Sequence, residues 1–446
     1  MIRQRLLPFV VTLFAGLIFI SLASGLGAQQ ANAPSSSVSV TKPESVGFSS
    51  ERLKRLHASM HKEVDEGRLP GVVTLLARHG KIVDVDVYGK KDLASGTPMT
   101  QDTIFRIFSM TKTLTGVSMM ILLEEGKWRP GDPVSQYIPE FAHLKVFKGV
   151  DASGNLLVED PIHAPTMGEL MDHTAGFTYG LFGDGPVDKA YQAAGVMGSK
   201  NLQEMIDKLA KLPLLYQPGT KWVYSASMDI QGYIIEKLSG QTLPAFMHDH
   251  IFAPLKMNDT DFYVPKVKWD RFATLYGENA QGELLAAPAI GGAGLGDYIA
   301  EPTMPSGGGG AVSTAHDYFR FAQMLLNGGE LDGTRILAPA TVQLMSSNHL
   351  APSLMTGEFF IGPETIRPGM GWGYDCAVFT DPAMANEIVG KGTFFWLGAA
   401  DTWYWIDPTN DIVFVGMTQH QIGPHQPNVE QLSRPTVYQA LVDPKK

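Results

Sequence analysis

Cysteine is almost absent from this chain: Cys376 is the only one in 446 residues. An internal disulfide framework and a cysteine-built zinc site are thereby excluded, and Cys376 itself reads as a small buried hydrophobe. Charge is also sparse, at 18% of residues, and it leans acidic: 35 Lys+Arg against 45 Asp+Glu, a net −10. Nucleic-acid binding rests on a basic face that neutralises phosphates, so no nucleic acid is expected as partner. Three signatures are missing too. No G-x-S-x-G occurs, which disfavours an α/β-hydrolase. No G-K-[ST] occurs, so the Gly-rich run Ser306–Gly310 is a tight turn or close backbone approach, not a phosphate loop. No H-E-x-x-H accompanies His248-Asp249-His250, which then reads as a solvated helix end. No metal or cofactor is called for.

Long apolar runs are confined to the beginning. Arg3 and Arg5 precede the run Leu6 to Leu26, and no further charge appears until Lys42. A basic start, an apolar stretch and small residues at Leu26-Gly27-Ala28 or Ala31-Asn32-Ala33 describe an export signal over 1–33. Pro8 and the Ser/Gly-rich end favour cleavage; an uncleaved membrane anchor is the alternative. Residues 34–48 follow as a Ser-rich linker. The expected location is outside the cytoplasm, periplasmic or secreted.

The body has 44% hydrophobic residues, enough for a sizeable core, and at about 150 residues per domain the length suggests two or three units. Ser49 or Ser50 can cap a helix in which Leu53, Leu56, Met60 and Val64 recur at spacings of three and four. Strands are expected at Gly71–Arg78 and Lys81–Tyr88 across His79-Gly80. Val83, Val85 and Val87 alternate there with Asp84 and Asp86, as in a half-solvated antiparallel strand. Two more strands, Thr402–Asp407 and Asp411–Gly416, flank Pro408-Thr409-Asn410, and a closing helix is expected over Pro435–Val442. The middle is rich in Pro, Gly and short helical patterns such as Leu202–Leu209 and Asp229–Leu238. The pattern predicts an α+β protein: an antiparallel sheet domain from 49–125 and 300–446, with a mainly helical domain, 126–299, inserted between its halves.

Candidate chemistry begins at Ser109. Phe108-Ser109-Met110-Thr111-Lys112 precedes the apolar run Val117–Leu123 and a stop at Glu124-Glu125-Gly126. That places Ser109 at a helix start, with Lys112 one turn on and on the same face. A serine hydroxyl needs a neighbouring base. A lysine whose pKa falls toward about 7–8 can be that base. The S-x-x-K spacing also occurs at Ser39/Lys42 in the linker and at Ser59/Lys62 inside the first helix. Neither copy has a strand-like approach and helix start to receive an oxyanion.

Arg106–Lys112 resembles the nucleophile motif of the serine β-lactamase and penicillin-binding-protein superfamily, above all its class C branch and the family VIII carboxylesterases. Further stretches resemble that family in order: Gly131–Glu140; Leu170–Gly176 for its L-L-x-H-T-S-G; Tyr224-Ser225-Ala226 for Tyr-x-Asn; and Ser306–Gly310 with Ser313-Thr314-Ala315 for its Gly-rich segment. Trp396-Leu397-Gly398-Ala399 stands in the place of Lys-Thr-Gly-Ala. The similarity runs from about Ser49 to about Tyr438.

The resemblance implies an acyl-enzyme on Ser109, proton shuttling by Lys112 and Tyr224, and an oxyanion hole from the N–H groups of Ser109 and Ala399. Ala226, Trp396 and Gly398 take substrate-binding positions. Two departures stand out: Ala226 replaces the Asn that grips a substrate amide, and Trp396 replaces the Lys that binds a carboxylate. Both favour an uncharged ester or lactone with an apolar acyl group over a β-lactam or peptide. Trp403, Tyr404 and Trp405 are expected to extend the apolar wall, and His173 and His420 to be structural, donating to backbone carbonyls. The implied activity is that of an exported serine carboxylesterase. The alternatives are a β-lactamase or D-Ala-D-Ala carboxypeptidase, an acyltransferase or amidase, and a penicillin-binding sensor that acylates without turnover.

Overall fold

Val83, with its alternating neighbours, and the mostly apolar stretch Gly71–Arg78 ask for different burial, and the chain gives it to them. The computed structural model describes residues 39–288, 297–357, 359–361, 364–421, 423 and 425–445. The leader expected over 1–33 lies outside them, and among them no helix is long and apolar enough to cross a membrane.

Helix α1 (Ser50–Asp65) is capped by Ser49, whose Oγ accepts from Arg52 N. Strands β1 (Gly71–Arg78) and β2 (Lys81–Asp92) form a hairpin. His79 and Gly80 turn it with φ of 55° and 69°, the pairing a tight hairpin needs. A short β3 (Thr97–Pro98) follows on the edge. The remaining strands come from the other end of the chain: β4 (Met370–Trp372), β5 (Ala377–Phe379), β6 (Phe394–Gly398), β7 (Thr402–Asp407) and β8 (Ile412–Met417). The eight-stranded order is β4-β5-β6-β7-β8-β1-β2-β3, with every pairing antiparallel. The α+β architecture expected from the pattern is thus the observed one. Its seam is β8 against β1, with Val73 opposite Met417 and Arg78 opposite Ile412.

Both faces of this sheet are covered, and alternate residues of β7 show how. Trp403 donates to Ser433 Oγ of the closing helix on one side. Tyr404 on the other side meets Thr113 Oγ1 at 2.7 Å and packs on Tyr318 of the helix Ala315–Leu326. The closing helix itself spans Val429–Tyr438, not Pro435–Val442. Asn428 caps it by accepting from Gln431 N, so the chain turns helical well before Pro435, which ends up inside the last turns. A capping side chain outweighed the proline, whose lost N–H costs one bond.

Helix α2 (Thr111–Glu124), which follows Ser109, is buried on nearly every side. A helix buried all round must satisfy its polar side chains internally. Thr115 Oγ1 donates to Gly307 O at 2.7 Å, Ser118 Oγ to Leu114 O at 3.0 Å, and Thr113 meets Tyr404. Between α2 and the helix Ala315–Leu326 the chain carries mainly helices and two-stranded pairs. Leu202–Leu209 forms as expected, and Ser227–Ser239 extends the expected Asp229–Leu238.

Candidate active site

Ser109 lies in a 3-10 turn, Phe108–Met110, that feeds directly into α2. The residue before it is strained: Phe108 has φ of 40°, a region that costs a non-glycine residue about 1–3 kcal/mol. Three contacts hold that bend. Arg106 pairs with Val312 in a short ladder. Arg106 N donates to Gln419 Oε1 at 3.1 Å, while Gln419 Nε2 returns a bond to Arg106 O at 3.0 Å. The Phe108 ring meets Tyr298 edge-on at 5.9 Å. The strain turns Ser109 outward, leaving it partly exposed among buried neighbours.

Lys112 follows one turn on. Its Nζ donates to Ser109 Oγ at 3.1 Å and to Gly308 O at 2.6 Å. The side chain is fully buried, and burial pulls its amine from 10.5 down to about 7, with Asp229 and Asp375 pulling the other way. Tyr224, expected from its motif to join them, does so. Lys112 Nζ stands 4.5 Å from its ring centroid, and its hydroxyl accepts from Trp396 Nε1 at 3.1 Å. Burial holds the Tyr224 phenol well above its ordinary range, while the neighbouring Ser109 hydroxyl and Trp396 N–H act against it. Hydroxyl, amine and phenol, distant along the chain, therefore share one cleft.

The other expected positions divide. Gly398 and Ala399 turn the end of β6 toward Ser109. A side chain on Gly398 would run into the Ile107 carbonyl and Thr402 Oγ1, so glycine is required. Among the described residues, no turn or loop carbonyl outside the helices and strands accepts from the N–H of Ser109 or Ala399. Ala226 and Trp396 lie deeper than a ligand-binding surface. Ala226 is fully buried at the N-cap of the helix Ser227–Ser239. Trp396 is only 1% exposed and sits behind Tyr224, ring centroids 5.5 Å apart. Trp403, Tyr404 and Trp405 are buried within the sheet layers and extend no wall of the cleft, because both faces of β7 are covered. His173 is structural, though it accepts where donation was expected: its Nδ1 takes the Ser225 N–H at 3.2 Å, and its ring packs 4.9 Å from Tyr224. His420 faces Glu278 at 3.2 Å, not a carbonyl.

One feature carried no readable signal in the sequence. Asp229, one turn into its helix, accepts from Ser306 Oγ at 2.5 Å and Gly308 N at 3.2 Å. It thereby fixes the peptide whose carbonyl holds Lys112. A side chain at Gly308 would collide with the Tyr179 hydroxyl and Asp229. The Gly-rich run is thus the close backbone approach that its composition suggests.

Comparison with known proteins agrees with this geometry. The Beta-lactamase family profile matches residues 56–432. Protein Rv1367c of Mycobacterium tuberculosis is 35% identical over 367 residues, covering 81% of this chain and 89% of that protein. Esterase EstB of Burkholderia gladioli is 31% identical over 368 residues, covering 79% and 86%. Among solved structures, that of EstCE1, a hydrolase with promiscuous acyltransferase activity, superposes with a TM-score of 0.71 at 28% identity, over 87% of this chain and 99% of that one. An eight-stranded sheet built from both chain ends, a serine–lysine–tyrosine cleft beside it and a family match across most of the length lead to one assignment: the chain is a serine hydrolase of the β-lactamase family.

Proposed function

We propose that this protein is an exported carboxylesterase that works through an acyl-enzyme on Ser109. The observation that carries the reading is the Lys112 amine, buried, 3.1 Å from Ser109 Oγ and brought to about 7. Near neutral pH such an amine spends much of its time without its extra proton and can accept one. The phenol of Tyr224, held neutral by burial, suits the opposite task of passing a proton on.

In the first displacement Ser109 Oγ attacks the ester carbonyl and its proton moves to Lys112 Nζ. The oxyanion that forms is met by the N–H groups of Ser109 and Ala399, each such donor being worth about 3–4 kcal/mol at the transition state. As the C–O bond breaks, the proton reaches the leaving alkoxide through the Tyr224 hydroxyl, and the alcohol departs. Water then repeats the sequence on the acyl-enzyme and releases the acid. Because the two groups share one proton path, their titration belongs to the pair.

The substrate class follows from what replaces the family lysine. Trp396 brings no cation to the cleft; its indole N–H is spent on Tyr224. A carboxylate-bearing β-lactam or peptide terminus finds no point charge there, whereas a neutral ester or lactone needs none. The relatives named as esterases support the same reading. Export is supported by the basic and apolar composition of the first 33 residues.

The test is turnover by purified mature protein on a short-chain p-nitrophenyl ester and on nitrocefin, with Ser109→Ala as control. Sustained ester turnover that vanishes in Ser109→Ala is the expected result. Stoichiometric labelling by nitrocefin without ester turnover would make the protein a penicillin-binding sensor, and full activity in Ser109→Ala would remove the serine from the mechanism.

A further inference from the structure

The aromatic residues around the cleft are not equally available to a substrate. Trp222, Trp372 and Trp396 pack behind Tyr224 and His173, all of them buried. Phe182 is different. Its ring lies 5.8 Å from that of Tyr224 and 5.8 Å, edge-on, from that of Tyr179, and yet it is 62% exposed. Leu181 beside it is 38% exposed. From solvent inward the order is therefore Phe182, then Tyr224 at 6% exposure, then the Lys112 amine.

This pair rides on a braced loop. Thr178 Oγ1 donates to Asp188 Oδ1 at 2.7 Å and accepts from Gly180 N at 3.2 Å, while Gln192 Nε2 donates to Gly180 O at 2.5 Å. Glycines bracket the tip for steric reasons. Gly180 has φ of 70°, and a Cβ there would come within 2.7 Å of Tyr191 Cβ. A side chain on Gly183 would run into the Asp188 carboxylate. The bonds at Thr178 and Gly180 thus pin the start of the loop, which presents two large apolar side chains at its tip, beside the Tyr224 phenol. Exposed apolar groups held beside a reactive centre mark a contact surface, and an aromatic ring offers a broad face at little entropic cost.

We infer that the Leu181–Phe182 tip is the acyl-selecting surface of the esterase: the apolar chain of the substrate, once past the carbonyl held at Ser109, lies against the Phe182 ring. The inference rests on the ester-hydrolase reading above and adds to it the residues that discriminate acyl length. An acetyl group offers the ring a single methyl, whereas a hexanoyl chain adds four methylenes that can lie along it. Each methylene taken out of water against the ring is worth about a fourfold gain in specificity.

The experiment is the ratio of kcat/KM for p-nitrophenyl hexanoate to that for p-nitrophenyl acetate, in wild type, Phe182→Ala, Phe182→Leu and Leu181→Ala. Phe182→Ala should lower the ratio about tenfold, and Phe182→Leu, which keeps an apolar face, by less than half that factor. Both side chains are exposed, so folding is not at stake. An active enzyme whose ratio does not move in Phe182→Ala overturns the inference and leaves the ester reading intact. A wild-type protein that turns over neither ester overturns both.

Discussion

Replacing Lys112 by methionine should abolish activity and at the same time make the protein more stable. The reasoning starts from the amine, whose pKa falls from 10.5 in water to about 7 in the fold. Below pH 7 it is protonated both folded and unfolded, and the folded state carries the full cost of burying the cation. At about 1.4 kcal/mol per pH unit this cost is about 5 kcal/mol. Methionine removes that cost but leaves the Gly308 carbonyl, which Lys112 now satisfies, without its donor. An orphaned buried acceptor costs about 1–3 kcal/mol, so a net gain of about 2–4 kcal/mol remains at pH 6. The sign of the pH dependence is fixed by proton counting. Between pH 7 and pH 10.5 the unfolded wild type binds a proton that the folded state does not, so wild-type stability rises with pH there. By pH 9 the advantage of Lys112→Met should have shrunk by about 3 kcal/mol. Urea unfolding of both proteins at pH 6 and pH 9, beside ester turnover, is the assay. A variant equally destabilised at both pH values would show that the amine is well solvated or already paired, and the base assignment would lose its physical ground.

Gly398→Ala should cost at least tenfold in kcat at nearly constant KM, because the new methyl meets the Ile107 carbonyl and shifts the Ala399 N–H; wild-type kinetics would place the oxyanion donor elsewhere. Trp396→Phe keeps an aromatic ring there and deletes one N–H from the Tyr224 oxygen, so kcat for ester hydrolysis should fall about tenfold, read by steady-state kinetics on a single ester. The hydrogen bond between His57 and Asp84 raises the imidazole above 6.5. A raised histidine stabilises the fold below its unfolded pKa, and the contribution is lost as pH rises through the folded value. Asp84→Asn should therefore lower the melting temperature at pH 5.5 and leave it nearly unchanged at pH 9.

Much of the architecture was readable because its signals are local. Gly71–Arg78 and Thr402–Asp407 are bounded as expected, since turn residues and apolar runs mark strand ends directly. The closing helix was misplaced because Pro435 looks like a first residue, whereas Asn428 holds the actual start. In the cleft, Ser109 and Lys112 were legible through their helical spacing and Tyr224 through motif order. Trp396 was legible as a substitution but not as a partner of Tyr224, since its indole points where only the packed fold can send it. Asp229 and Phe182 had no local mark at all: one acts through a distant backbone peptide, the other through being left uncovered.

The seam between the first and last strands has a further consequence for how the protein comes into being. Strand β1 finds its inner neighbour only in residues 412–417, so most of the chain has been synthesised before its middle layer can close. Contacts spanning such distances form slowly. A stop codon anywhere before that last strand would leave not a shortened enzyme but an unfinished one, with its central hydrogen-bonding edge bare.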